Sequence, residues 1–320
     1  MIKIPKDFIE QNFSPADFLA NCDEAFRWYG QGVATMPPRE QNVDASGRFT
    51  LRMPAAIPGY TGYKFIEELP ATELGKLGQR TAVIRLKPES SDPSTSLGAR
   101  EAEMDAEHIT NMRTGAAGAL GLKYFAPQAK IVSILGTGKI SKALALCAIE
   151  IGVRTLNVYS RNPENREKFK QELSGADAEI VLFDSLAGCV AGSEAILTAV
   201  PTPQPILYYQ DLPRPIYISV MGGDSRTAQL DPEILTRAVV VTDNQEQAQK
   251  SGEFKTALAE GYYDKINFAK HGDRAANIGD AANGQLKLSG DIVIGYFTGL
   301  AVQDINAAKM VYKKFVAEHN

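Results

Sequence analysis

The chain has 320 residues, 44% of them apolar and 22% charged, proportions of a soluble globular protein with enough core for one large or two ordinary domains. A net charge of −4 removes the electrostatic reason to expect nucleic acid or an anionic membrane as a partner, and no stretch is long and apolar enough to span a bilayer. Cys22, Cys147 and Cys189 are scattered without metal-like spacing, and no long apolar run follows Met1, which together predict a reduced, cytoplasmic protein with no bound metal.

In chain order, Ser14-Pro15 opens an amphipathic helix over residues 15–30, and strands are expected at 48–53, 62–67 and 81–86. Residues 87–98 are rich in Pro and Ser and predict a surface loop, and residues 106–125 predict a helix. Strands then alternate with helices, at 131–135, 155–159, 179–183, 195–200, 216–221 and 238–242. The clearest of the intervening helices, 163–173, has Glu164, Arg166, Glu167 and Lys170 on a solvated face. That alternation predicts an α/β domain with a Rossmann-type, doubly wound parallel sheet. After Asp291-Ile292-Val293-Ile294 a long apolar helix over 299–317 is expected to return to the N-terminal domain. The expected division is therefore 1–125 plus 299–320 for a second, α+β domain, with the dinucleotide-binding domain, 126–298, inserted in it.

The strand at 131–135 runs into Gly136-Thr137-Gly138-Lys139-Ile140-Ser141 and a helical run over 142–149. Gly136 suits a tight turn, Gly138 lets backbone approach a pyrophosphate, and the new helix turns its N–H groups and dipole toward negative charge. A bare structural turn has the same local sequence, but the strand–helix context and a second strand at βαβ distance favour a nucleotide. The second strand ends in Ser160-Arg161, a hydroxyl and a guanidinium where an acid would read the ribose of NAD. NADP is thus preferred over NAD. Thr198, Val200 and Met221 stand at the carboxyl ends of later strands, where ligands of such sheets bind, and complete the expected cofactor set with Lys139 and Ile140.

Four cations mark the N-terminal part: Arg39, Arg52, Lys64 and Arg113. Lys64 lies in an apolar strand and Arg113 in a helix rich in Ala, Gly and Leu, so each needs an anionic partner, either a protein carboxylate or a ligand. Asp224 ends Val220-Met221-Gly222-Gly223-Asp224 directly after a strand, where it either faces the ligand crevice or caps the next segment. The three histidines form no catalytic or metal arrangement.

These residues together resemble the ornithine cyclodeaminase/mu-crystallin family along nearly the whole chain. The resemblance is carried by Arg52-Met53-Pro54-Ala55, Gly62-Tyr63-Lys64, Met104-Asp105, Ile109-Thr110-Asn111-Met112-Arg113-Thr114-Gly115-Ala116-Ala117, Leu135-Gly136-Thr137-Gly138, Gly222-Gly223-Asp224 with Leu230-Asp231, and Thr298-Gly299-Leu300-Ala301-Val302-Gln303-Asp304. It implies a homodimer whose terminal segments form the substrate and dimerisation domain. It further implies that Lys64, Arg113 and Arg39 hold the carboxylate of an amino, imino or oxo acid, that Asp224 sits near the reacting C–N centre, and that Thr114 contacts phosphate. Cyclodeaminases of this family resemble one another in carrying a Glu just before the Met-Pro pair, where this chain has Phe49-Thr50-Leu51-Arg52. A cation there is wrong for a diamine and suits a keto or second carboxylate oxygen. Net hydride transfer to or from a C=N bond, as in amino-acid dehydrogenases and imine or ketimine reductases, is therefore expected. The alternatives are an ornithine or lysine cyclodeaminase that releases ammonia with NAD bound, and a mu-crystallin-like nucleotide-binding protein.

Overall fold

The computed structural model describes residues 1–70, 79–89 and 100–319. The chain divides into one unit of Met1–Arg113 with Leu300–Asn320 and a second of Thr114–Gly299. The division falls within the continuous helix Glu107–Phe125, twelve residues before the sequence-based limit at 125.

The first unit is built on a six-stranded sheet. Its strands lie in the order Ile2–Ile4, Ala102–Asp105, Arg80–Pro88, Tyr60–Glu68, Phe49–Ile57 and Glu40–Val43, antiparallel except for the first pair. The three central strands were expected; the three short ones carry too few residues to display a period of two. Alternation along the central strands sends Met53, Ala55, Ile57, Tyr60, Lys64, Ile66, Ile84 and Leu86 to one buried face. The terminal helix Ala301–His319 lies on that face and against helix Pro15–Gly30, close enough that a Cβ on Gly62 would stand 3.1 Å from Ile305 Cδ1. Helix Pro15–Gly30 begins where the sequence places it, because Ser14 and Asp17 cap each other's backbone N–H groups and Pro15 takes the first turn. Of the loop expected at 87–98, Lys87 and Pro88 instead finish the strand Arg80–Pro88, and 90–98 lies outside the described residues.

The second unit contains an eight-stranded sheet, parallel throughout. The order is Asn267–Phe268, Val239–Thr242, Ile292–Phe297, Ile216–Met221, Ala195–Thr198, Ile131–Leu135, Thr155–Tyr159 and Glu179–Leu182. The sequence-based strands match to within two residues at either end. Two strands were not expected: the two-residue edge strand Asn267–Phe268, and Ile292–Phe297, which enters between Ile216–Met221 and Val239–Thr242 as a wholly buried strand. A six-residue apolar run has no periodicity to distinguish strand from buried helix, so only its pairing reveals it.

Helix Glu107–Phe125 presents Gly115, Gly118 and Gly121 to the rest of this unit. A Cβ on Gly115 would stand 2.6 Å from the Ala143 carbonyl oxygen, one on Gly118 would stand 3.1 Å from Ser219 Oγ, and one on Gly121 2.7 Å from Phe297 Cζ. The helix thus rests backbone-first on helix Lys139–Glu150 and on two central strands. We expect Gly115→Leu to cost about 1–3 kcal/mol through overpacking, measured by urea denaturation; an unchanged midpoint would show that the helix is not held this closely.

Candidate active site

In the first unit, Lys64 is 1% exposed and needs a compensating charge. It finds Asp304, on the first turn of the terminal helix, with Nζ 2.7 Å from Oδ2. Arg113 takes the other oxygen, Nε to Oδ1 at 3.0 Å. The anionic partner left open by the sequence is therefore a protein carboxylate, and Asp304 is the member of the cluster to which sequence reasoning gave no role. Burial by itself raises the Asp304 carboxyl, but the charges of Arg113 and Lys64 outweigh it and hold the group below its usual range. Burial, then Arg113, and to a smaller extent Arg39 push the Lys64 ammonium down from 10.5 to about 7, against the pull of Asp304. Arg39, Lys64 and Arg113 are thus brought together. Two cations share one carboxylate, and the Nη groups of Arg113 take no acceptor among the described residues. The cluster keeps a net positive charge and a planar donor fork suited to a carboxylate.

Arg52 is not part of it. Its neighbour Met53 pairs with Lys64, so alternation turns Arg52 to the opposite face of the sheet. There it is 40% exposed, bonds Glu40 through Nη1 at 2.8 Å, and lies 4.3 Å from the centre of the Tyr63 ring. The expectation of Arg52 as a substrate contact is corrected by one residue of strand register.

The second unit carries the glycine turn. Gly136 has φ +96°, in the region that favours glycine, while Gly138 has an ordinary φ of −78° and a Cβ there would meet nothing within 4 Å. The fold itself does not require glycine at 138; a ligand backed closely against the chain would. Gly138 caps helix Lys139–Glu150 without a side-chain bond, so Lys139 and Ile140 open an uncapped first turn. These residues fit a pyrophosphate. Thr114 precedes Gly115, which packs on Ala143 of the same helix.

Thr137 Oγ1 donates to Ser160 Oγ at 3.3 Å, tying the glycine turn to the end of the second strand. Ser160 is further held by Arg166, whose Nη1 donates to its carbonyl at 2.6 Å and whose Nη2 meets Asp184. Arg166, expected on a solvated face, is 6% exposed and serves as a brace. Arg161 is exposed and forms no ion pair among the described residues.

At the strand ends, Thr198 is wholly buried and donates its hydroxyl to Gln229 Oε1 at 2.8 Å, so it holds Gln229 rather than facing a ligand. The same oxygen accepts from Val200 N at 2.8 Å, and Gln229 Nε2 donates to Met221 O at 3.0 Å. Asp224 is 42% exposed and meets Arg226, with Nη2 2.7 Å from Oδ2. Beneath its turn lies a group that the sequence analysis did not single out: Glu253, 0% exposed and raised by burial, beside the equally buried Tyr296. Among the described residues no cluster of His, Cys, Asp and Glu could hold a metal, and no helix is long and apolar enough to cross a membrane.

The family model described as ornithine cyclodeaminase/mu-crystallin matches residues 1–319. The chain is 28% identical to the alanine dehydrogenase of Archaeoglobus fulgidus, over 99% of this chain and 95% of that one. It is 29% identical to the iminosuccinate reductase of Paracoccus denitrificans, over 71% and 69%. An archaeal alanine dehydrogenase solved as a dimer with bound NAD superposes with a TM-score of 0.85 at 24% identity, covering 100% of this chain and 97% of that one, and shares its fold.

Asp304→Asn leaves two cations buried without a carboxylate. We expect it to destabilise the protein by about 3–5 kcal/mol in urea denaturation at neutral pH, and a loss below about 1 kcal/mol would contradict the buried cluster.

Proposed function

The chain belongs to the ornithine cyclodeaminase/mu-crystallin family, and from that premise we propose that it is a nicotinamide-dependent oxidoreductase that reduces, or forms, the C=N bond of a small imino acid. The observation that carries this reading is the buried pairing of Lys64 and Arg113 on the single carboxylate of Asp304, with the Arg113 fork unspent. A bound nicotinamide coenzyme supplies or accepts the hydride. Arg113, with Lys64 and Arg39, binds the substrate α-carboxylate and so fixes the orientation of the adjacent C=N carbon. When that carbon gains the hydride, the π electron pair moves to nitrogen and cancels the iminium charge. Asp224 is the anion that steadies this charge beforehand, and Lys64, falling near 7, can pass a proton to a substrate heteroatom.

The cyclodeaminase alternative needs an acid for the distal ammonium of a diamine. The segment where such enzymes carry Glu has Arg52 here, turned away and bonded to Glu40, and Asp304 is already spent on two cations. Hydride transfer without cyclisation is therefore favoured. NADP(H) is the proposed coenzyme, because Ser160 is held in place and the exposed Arg161 offers a guanidinium to a 2′-phosphate. Like the archaeal alanine dehydrogenase, the protein would act as a homodimer. Cys22, Cys147 and Cys189 are buried and form no disulfide with one another, which suits a reducing cytoplasm.

The test follows nicotinamide absorbance with NADPH or NADH, ammonia or methylamine, and pyruvate, glyoxylate, oxaloacetate or preformed cyclic imines. Oxidation that requires both amine and oxo acid, or a preformed cyclic imine alone, is expected; ammonia released from ornithine or lysine without net absorbance change would establish the cyclodeaminase instead. In the reductive direction kcat/KM should be level at low pH and fall about tenfold per unit above about 7 as free Lys64 loses its proton. Lys64→Arg should abolish that limb, and a limb that survives would remove Lys64 from the role. Arg161→Ala should raise the KM for NADPH about tenfold or more while leaving NADH nearly unchanged; equal effects on both would overturn the NADP preference.

A further inference from the structure

Gly222-Gly223-Asp224 is built on the hydroxyl of Tyr296. A Cβ on Gly222 would fall on the Tyr296 ring and hydroxyl, Gly223 has φ +106°, and the Gly223 backbone N–H is directed at the Tyr296 oxygen. Gly222 N donates to Phe297 O at 2.9 Å, and Gly252 N donates to Asp224 O at 3.1 Å. The backbone that presents Asp224 is thus pinned to the strand carrying Tyr296 and to the helix whose second residue is Glu253.

The protons in this buried group can be counted. Ser251 Oγ lies 2.6 Å from Ala248 O, a bond only the serine hydroxyl can donate. Tyr296 Oη lies 2.8 Å from Ser251 Oγ, and with the serine proton already spent the tyrosine must donate there. Tyr296 Oη also lies 2.5 Å from Glu253 Oε2, and its single proton is now used. The proton on this last contact must come from Glu253. The other carboxyl oxygen, Oε1, accepts from Gln229 N at 2.8 Å, as a carbonyl does. No Lys or Arg forms an ion pair with Glu253 among the described residues, unlike the equally buried Asp304, which has two.

We infer that Glu253 stands as a neutral carboxylic acid that donates its proton to the oxygen of Tyr296, and that this pair is a positioning device for the Gly222–Gly223–Asp224 turn. Every hydrogen-bonding group in the chain Glu253–Tyr296–Ser251–Ala248 is then satisfied. The pair is wholly buried and acts through Asp224, so the inference rests on the role proposed above for that residue.

A glutamine at 253 reproduces the neutral acid, with an N–H donor toward Tyr296 and a carbonyl toward Gln229; alanine does not. We expect Glu253→Gln to keep kcat within about twofold, whereas Glu253→Ala and Tyr296→Phe lose about tenfold or more through misplacement of the turn. NADPH affinity should change by less than about threefold in all three. In an Asp224→Asn background the Tyr296→Phe loss should disappear, since the pair acts through that carboxylate. Infrared spectra at neutral pH should show a protonated carboxyl C=O band that Glu253→Gln removes. A Glu253→Gln variant as impaired as Glu253→Ala, or no such band, would mean an ionised Glu253 and overturn the inference. So would a Tyr296→Phe variant with normal kcat, which folds even if Glu253→Ala does not, or losses that multiply with Asp224→Asn. Asp224→Asn with normal turnover would instead sink the proposed role of Asp224, while the band and the glutamine–alanine contrast still decide the state of Glu253.

Discussion

One carboxylate, Asp304, makes the cationic cluster possible. Without it, Lys64 at 1% exposure and Arg113 at 7% would be two like charges taken out of water, an arrangement a fold cannot sustain. With it, the pair is held at 2.7 and 3.0 Å while one positive charge stays uncancelled. The residue comes from the terminal helix, the lysine from a central strand and the arginine from a helix following the sheet, so the cluster exists only once all three elements have docked. Stability and the positive charge proposed to bind an anion are here opposed, because any further acid that strengthened the fold would cancel that charge.

The second unit handles buried polarity differently. Glu253 is as deeply placed as Asp304 but is met by hydroxyl and amide groups instead of cations; burial raises both carboxyl groups, and only at Asp304 do neighbouring cations outweigh it. Gln229 is similarly saturated: its Oε1 accepts from both Thr198 and Val200, its Nε2 donates to Met221 O and its backbone N–H to the Glu253 carboxyl. Neutral groups of this kind hold strand ends in place without adding a field where an anionic coenzyme would lie. The glycines of Gly222-Gly223 have their explanation in the same network, one as room for Tyr296 and one as a left-handed turn.

Much of this was legible beforehand. The parallel strands carry mainly apolar runs, the glycine turn stands between a strand and a helix, and Ser14-Pro15 with Asp17 marks a helix start in any context. Lys64 and Arg113 were conspicuous because a cation among apolar residues demands a partner. Other features were not. The strand Ile292–Phe297 has no periodic signature and declares itself only by pairing with strands more than fifty residues earlier. The side taken by Arg52 depends on one residue of register. Arg166, placed by composition on a solvated helix face, turns inward because Ser160 O and Asp184 offer it acceptors.

By itself the sequence determined the classes of element, the nucleotide turn and the need of Lys64 and Arg113 for negative charge, since each follows from residue type and near neighbours. The tertiary structure alone decided that Asp304 answers that need, that Arg52 faces away, and that Glu253 lies against Tyr296. The reason is that a charge or a proton is assigned by whatever stands within about 3 Å of it, and Lys64 and Asp304 reach that distance across 240 positions of chain.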